Sequence, residues 1–151
     1  MQLIPVIDLM HGQVVRAVRG DRASYRPVVS RLCEGSDPVT VARALCVHCD
    51  AQRLYVADLD ALTGGRAQVA VLQQLLRSLP TVELWVDAGF ADAQAAAQLR
   101  VQLGADAARA VPVFASESLR SREALARCCA DRQASVLSLD RRDGRRLDVA
   151  G

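Results

Sequence analysis

The chain of 151 residues contains no lysine and no asparagine, and all 19 of its basic residues are arginine. The lack of lysine removes whole classes of chemistry. A Schiff-base or cofactor-anchoring lysine, a Walker-type phosphate loop and a kinase catalytic lysine are all excluded. With 17 acidic residues against those 19, the net charge is only +2, which argues against a nucleic-acid partner held by a basic face. Two Tyr, two Phe and one Trp are too few for a platform on which bases stack. Isoleucine occurs only at Ile4 and Ile7 while alanine abounds, a bias typical of GC-rich coding sequence that carries no functional meaning.

Long apolar runs are missing too. The longest uncharged stretch, residues 67–76, has ten residues and includes glutamines, well below the ~18 that a membrane helix needs. Asp8 interrupts the opening apolar run, so the N-terminus does not read as a secretory leader. A cytoplasmic protein with no membrane contact is expected. The five cysteines, two of them adjacent at Cys128 and Cys129, do not form the even, spaced set of a secreted disulfide framework and are expected as reduced thiols. Cys46, His48 and Cys49 have short spacings that suit zinc, but no supporting pair stands elsewhere. Cys46 and Cys49 are expected on the apolar face of a helix as small hydrophobes, with no metal and no cofactor.

What is present is a repeat of strand and helix. Apolar runs of strand length occur at Leu3 to Ile7, Arg53 to Ala57, Val82 to Val86, Ala110 to Phe114 and Ser135 to Leu139. Between them, Ser36-Asp37-Pro38 signals a helix start that continues to about Cys49, and helices are expected over residues 66–78, 91–103 and 118–130. Alternation of this kind predicts parallel strands joined by right-handed crossovers, hence an α/β fold. Residues 12–36 read as a small hairpin and polar loop inserted after the first strand, within a single domain over residues 1–151.

Aspartates mark the working face. Asp8, Asp58, Asp87 and Asp140 each follow a predicted strand directly, and in parallel α/β folds the C-terminal strand ends form the ligand face. Each could instead cap the following helix or turn. All four together point to a shared pocket. Five units are fewer than the eight of a closed barrel, which takes at least about 200 residues. The expected architecture is therefore part of a (βα)8 TIM barrel, about five parallel strands with crossover helices. It would be a piece, a shortened barrel, or an open sheet whose edges a homodimer covers.

The opening IPVIDLMHGQVVRAVRGDR, then LYVADLDALTGG and SVLSLDRRDGRRL, resemble in this order the first, second and fifth strands of the histidine-biosynthesis TIM-barrel family, the ProFAR isomerase-like barrels. The resemblance covers Leu3 to Leu147. It implies an aldose–ketose isomerase that carries out an Amadori rearrangement without metal or organic cofactor. Asp8 and Asp140 would be its catalytic pair, with Asp8 taken as the base. One acid protonates the ring oxygen to open an aminofuranose, and a base removes the C2 proton of the resulting Schiff base. Two carboxylates with separated pKa values can divide these tasks.

Substrate contacts implied alongside are Asp58, Asp87, Gly89, Ser116 and Arg19, around a small phosphorylated metabolite. The third strand departs from the family pattern. Its glycine run, which would hold a phosphate, is reduced in VDAGFAD to Gly89, and Asp87 places a negative charge where an anion would sit. VIDL, SYRPV, ADLDAL and VDAG together resemble a divergent branch found in methylotrophs and methanogens. That branch leaves two alternatives open: a paralogue in one-carbon cofactor synthesis whose acidic rim takes an amine-bearing ligand, or a non-catalytic barrel fragment. Arg141 beside Asp140 is a candidate anion contact, as is Arg22; His11 reads as a turn residue.

Overall fold

The computed structural model describes residues 2–18, 21–130, 134–142 and 144–146. The chain opens with an antiparallel ribbon, β1 (Val6–Met10), β2 (Gln13–Arg16) and the short β3 (Arg26–Pro27). His11 and Gly12 form the turn between β1 and β2, both at positive φ (51° and 78°), as a two-residue hairpin with the right-handed twist requires. Alternating units follow: α1 (Pro38–Cys49), β4 (Arg53–Asp58), the one-turn α2 (Leu59–Leu62), α3 (Val69–Ser78), β5 (Glu83–Asp87), α4 (Ala93–Leu103), β6 (Ala110–Ala115), α5 (Arg122–Ala130) and β7 (Val136–Ser138). A last two-stranded ribbon pairs β8 (Arg141–Arg142) with β9 (Arg145–Arg146).

Local chemistry sets the helix ends. The Asp37 carboxylate accepts the Thr40 amide at 2.8 Å and Pro38 occupies the first turn of α1, where its missing N–H costs nothing. Asp92 accepts the Ala95 amide to start α4. Gly104, at φ 72°, ends it, a backbone position that a side chain would strain.

The sheet order is β3-β2-β1-β4-β5-β6-β7, and β1, β4, β5, β6 and β7 run parallel in chain order. Strand succession with no reversal is the winding of a barrel wall, whereas a doubly wound sheet reverses order at a switch point. Helices α1, α3, α4 and α5 pack each against the next, so they form one layer over one face. Under them lies the core: Ile7, Leu9, Leu54, Val56, Leu84 and Val86 from the strands meet Leu72, Leu75, Leu76, Leu99 and Leu103 from the helices. Strand side chains alternate between faces, so Val6, Asp8, Tyr55, Trp85 and Asp87 fall on the other, concave side. Val6 there is 56% exposed. No described helix is long and apolar enough to cross a membrane.

Several boundaries differ from the sequence expectation; β4 and β5, for example, run on to include Asp58 and Asp87. The first strand begins at Val6 and runs through Met10, because pairing with β2 and β4 carries it past the apolar run. Asp8 consequently sits mid-strand and does not follow the strand. The helix expected from Arg66 starts at Val69, since the Gln68 amide is drawn to the Asp58 carboxylate at 2.6 Å and the loop folds back before the helix begins. The helix expected from Ser118 starts at Arg122, where the Ser121 hydroxyl accepts the Ala124 amide.

Candidate functional site

Pairing register builds the concave face. Asp8 lies opposite Ala57, Ala57 opposite Asp87, and Tyr55 opposite Trp85, so the aspartates of β1 and β5 flank one small residue, with the two aromatics one step below. On the far side, Ser138 pairs with Ala115, and Asp140, two residues on, returns to the same face. Two hydroxyls hold it there. The Asp140 amide donates to Ser116 Oγ and the Ser138 hydroxyl donates to Asp140 Oδ1, each at 3.0 Å. Its other oxygen, Oδ2, is buried with no hydrogen-bond partner among the described residues.

Tyr55 gathers these groups. Its hydroxyl donates to Asp87 Oδ2 at 2.9 Å, and the phenol is pushed far above its ordinary value by burial, then by Asp87, Asp140 and Asp8. One phenol thus senses three carboxylates from β1, β5 and the segment after β7. Burial raises Asp8 above the ordinary carboxylate range. Burial also raises Asp87, helped by the charge of Asp140 and opposed by hydrogen bonds from the Gly89 amide and the Tyr55 hydroxyl. Carboxylates kept from water and set near one another hold protons more readily than free ones. This is the property that acid–base work at neighbouring carboxyl groups needs.

The structure separates the four strand-end aspartates. Asp58 shares the parity of Leu54 and Val56, is 0% exposed, and accepts the Ala61 amide at 3.2 Å, the Gln68 amide at 2.6 Å and Gln68 Nε2 at 3.2 Å. It organises the turn after β4 and is not part of the concave set, which corrects its placement at the substrate. Gln68 Oε1 in turn accepts the Gly12 amide at 2.8 Å, and Asp60 accepts the His11 amide. The turn after β1 is thereby clipped to the loop after β4, and His11 serves as a turn residue.

Gly89 stands at φ 67° and donates its amide to Asp87 Oδ1 at 3.1 Å. Ser116 borders Asp140, its Oγ accepting the Asp140 amide at 3.0 Å. Arg141 is exposed at the rim. Arg19 lies outside the described residues, as does the side chain of Arg22. Cys46 is buried, and among the described residues no group of three or more His, Cys, Asp or Glu side chains is placed to hold a metal ion. Tyr55 was not singled out from sequence, where it reads only as a strand-forming aromatic. Counting alternation from Ile7 and Leu9 through the paired strands would have put it on the acidic side.

The fold and site define a parallel barrel wall of five strands and four crossover helices among the described residues, with carboxylates on its inner face. The chain belongs to the histidine biosynthesis protein family, whose model matches residues 2–151. It is 35% identical over 147 residues to an imidazole-4-carboxamide ribotide isomerase (ProFAR isomerase) of Thermomicrobium roseum, covering 95% of this chain and 55% of that protein. The isomerase of the same name from a Synechococcus strain is 34% identical over 107 residues, 70% of this chain and 38% of that protein. An uncharacterized protein of Methanocaldococcus jannaschii is 33% identical over 75 residues, half of this chain and 33% of the relative. The chain thus spans between about a third and just over half of the length of these relatives.

Proposed function

We propose that the chain carries the acid–base pair of an aldose–ketose isomerase that performs an Amadori rearrangement on a sugar-phosphate-linked metabolite, with Asp8 as base and Asp140 as acid. The observation that carries this is that Asp8 and Asp140 both lie within electrostatic reach of the Tyr55 phenol, with Asp140 Oδ2 buried and without a hydrogen-bond partner among the described residues. A proton from Asp140 onto the ring oxygen releases the C1–O bond and leaves a protonated Schiff base. Asp8 then takes the C2 proton, and the electron pair of that C–H bond forms an enaminol. Return of that proton from Asp8 to C1, with the C2 hydroxyl giving its proton to the Asp140 carboxylate, forms the aminoketose and restores both side chains, so no atom or electron is gained overall. Isomerases among the relatives, named for an imidazole carboxamide ribotide, supply the substrate to try first. Purified chain should turn over ProFAR, and Asp8→Asn should lower kcat at least about a hundredfold, as expected for loss of a general base. Retained activity in that variant removes Asp8 from the reaction.

A second reading is favoured by the three carboxylates on one face: a paralogue in one-carbon cofactor synthesis that takes an amine-bearing ligand. Deletion of the gene would then abolish growth on methanol or methane while leaving histidine prototrophy intact. In either reading a homodimer covers the open sheet edge at β7, and light scattering at defined concentration tests it.

A further inference from the structure

At the C-terminal end of β5 the chain has the parts of an anion site. A glycine at positive φ turns its amide toward the concave face, and a helix, α4, begins a few residues later. Backbone amides so arranged commonly hold phosphate. Here they are already engaged by the protein's own carboxylates. The Gly89 amide donates to Asp87 Oδ1 at 3.1 Å, and the first-turn amide of Ala95 donates to Asp92 Oδ1 at 2.9 Å.

Asp87 is not a loose surface acid that a ligand could push aside. It is 8% exposed, and its second oxygen accepts the Tyr55 hydroxyl from the neighbouring strand at 2.9 Å. Both oxygens are therefore fixed, one by the turn and one across the sheet. A phosphate approaching Gly89 would have to break a charge-assisted bond and then lie against a buried negative charge, with Asp140 near enough to act on the same carboxyl group. Both costs act in the same direction, and neither is relieved by water at a buried position.

We infer that Asp87 is a specificity-determining residue, a built-in anion locked by Tyr55 and Gly89 that excludes phosphate from the end of β5. The part of the ligand seated there is consequently unphosphorylated and offers a hydroxyl or amine to the acidic face. Any phosphate it carries lies elsewhere. The inference rests on the isomerase reading only in taking the concave face as the ligand side.

The experiment is a titration of the full chain with inorganic phosphate and, separately, a pentose phosphate, followed by amide chemical shifts and calorimetry at pH 7. Wild type, Asp87→Asn, Asp87→Gly and Asp8→Asn are compared. The expected result is a gain in phosphate affinity of about tenfold or more in both Asp87 variants, with the Gly89 amide among the shifted signals, and a smaller gain in Asp8→Asn. Asp87→Asn keeps the size of the side chain, so the comparison survives if the glycine variant fails to fold. Equal affinity in wild type and the Asp87 variants, whether strong, weak or nil, overturns the inference. So does an equal gain in Asp8→Asn, which would reduce the effect to net charge. A gain whose shifts fall on Arg66, Gln98 and Gln102, at the far wall of the cleft between α3 and α4, and leave the Gly89 amide unmoved overturns it as well. Because the readout is binding of phosphate alone, loss or survival of the roles given to Asp8 and Asp140 does not alter these outcomes.

Discussion

Replacing Asp58 by alanine should remove much of the chain's margin of stability, although the residue stands only one step beyond the position of the concave-face Asp87 in its unit. Three donors converge on its carboxylate, the amides of Ala61 and Gln68 and the Gln68 side chain, at 3.2, 2.6 and 3.2 Å. The carboxylate itself is fully buried. Each buried donor left without a partner costs about 1–3 kcal/mol. The Gln68 side chain is also pinned at its far end by the Gly12 amide at 2.8 Å, so it cannot simply swing into water. Counting the two backbone donors gives a loss of about 2–6 kcal/mol, against a total stability of about 5–15 kcal/mol for a domain of this size. Urea unfolding at pH 7 with a common slope for both proteins measures it. Asp58→Asn keeps the size and one acceptor but turns an amino group toward a donor, and should lie between. A loss below about 1 kcal/mol for Asp58→Ala, the cost of an ordinary exposed cap, would refute the assignment of Asp58 to the turn.

The opposite sign is expected on the concave face. Asp8 is raised by burial, so the unfolded chain gives up this proton more readily, and stability falls as pH rises through the raised value. Asp8→Asn should therefore be more stable than wild type at pH 7, and the difference should vanish below the ordinary carboxyl value of 3.8; a pH series of melting curves checks both limits. Arg109 donates to the carbonyls of Leu76, Leu79 and Val82 at 2.7, 3.0 and 3.2 Å, closing the end of α3. Arg109→Ala should cost about 1–3 kcal/mol in the same urea assay, and Arg109→Lys should recover little of it, since an ammonium cannot span three acceptors as a planar fork does.

Local signals proved readable and facing did not. The start of α1 was visible in Ser36-Asp37-Pro38 because a cap and its helix are neighbours in sequence. The alternation of strands and helices was equally plain, because each strand carries its own apolar pattern. The four aspartates looked alike because proximity to a strand end says nothing of side. Tyr55 pairs with Trp85, yet Asp58 comes three residues after the first aromatic and Asp87 two residues after the second. That one-residue difference sends Asp58 under the helices and Asp87 to the concave face. Tyr55 was overlooked for the same reason: its role depends on carboxylates brought in from β1, β5 and beyond β7, none of them near it in the chain.

The two margins of the sheet are unequal. On one side, β3 is two residues long, includes Pro27 with no N–H to offer, and presents Arg26 to solvent. Such a border resists further addition. On the other, Leu137 of β7 and Leu139 just beyond it are both well exposed, on the outward face. Lateral pairing is thus directional: the hairpin seals one flank, and β7 leaves the other open beside two outward leucines.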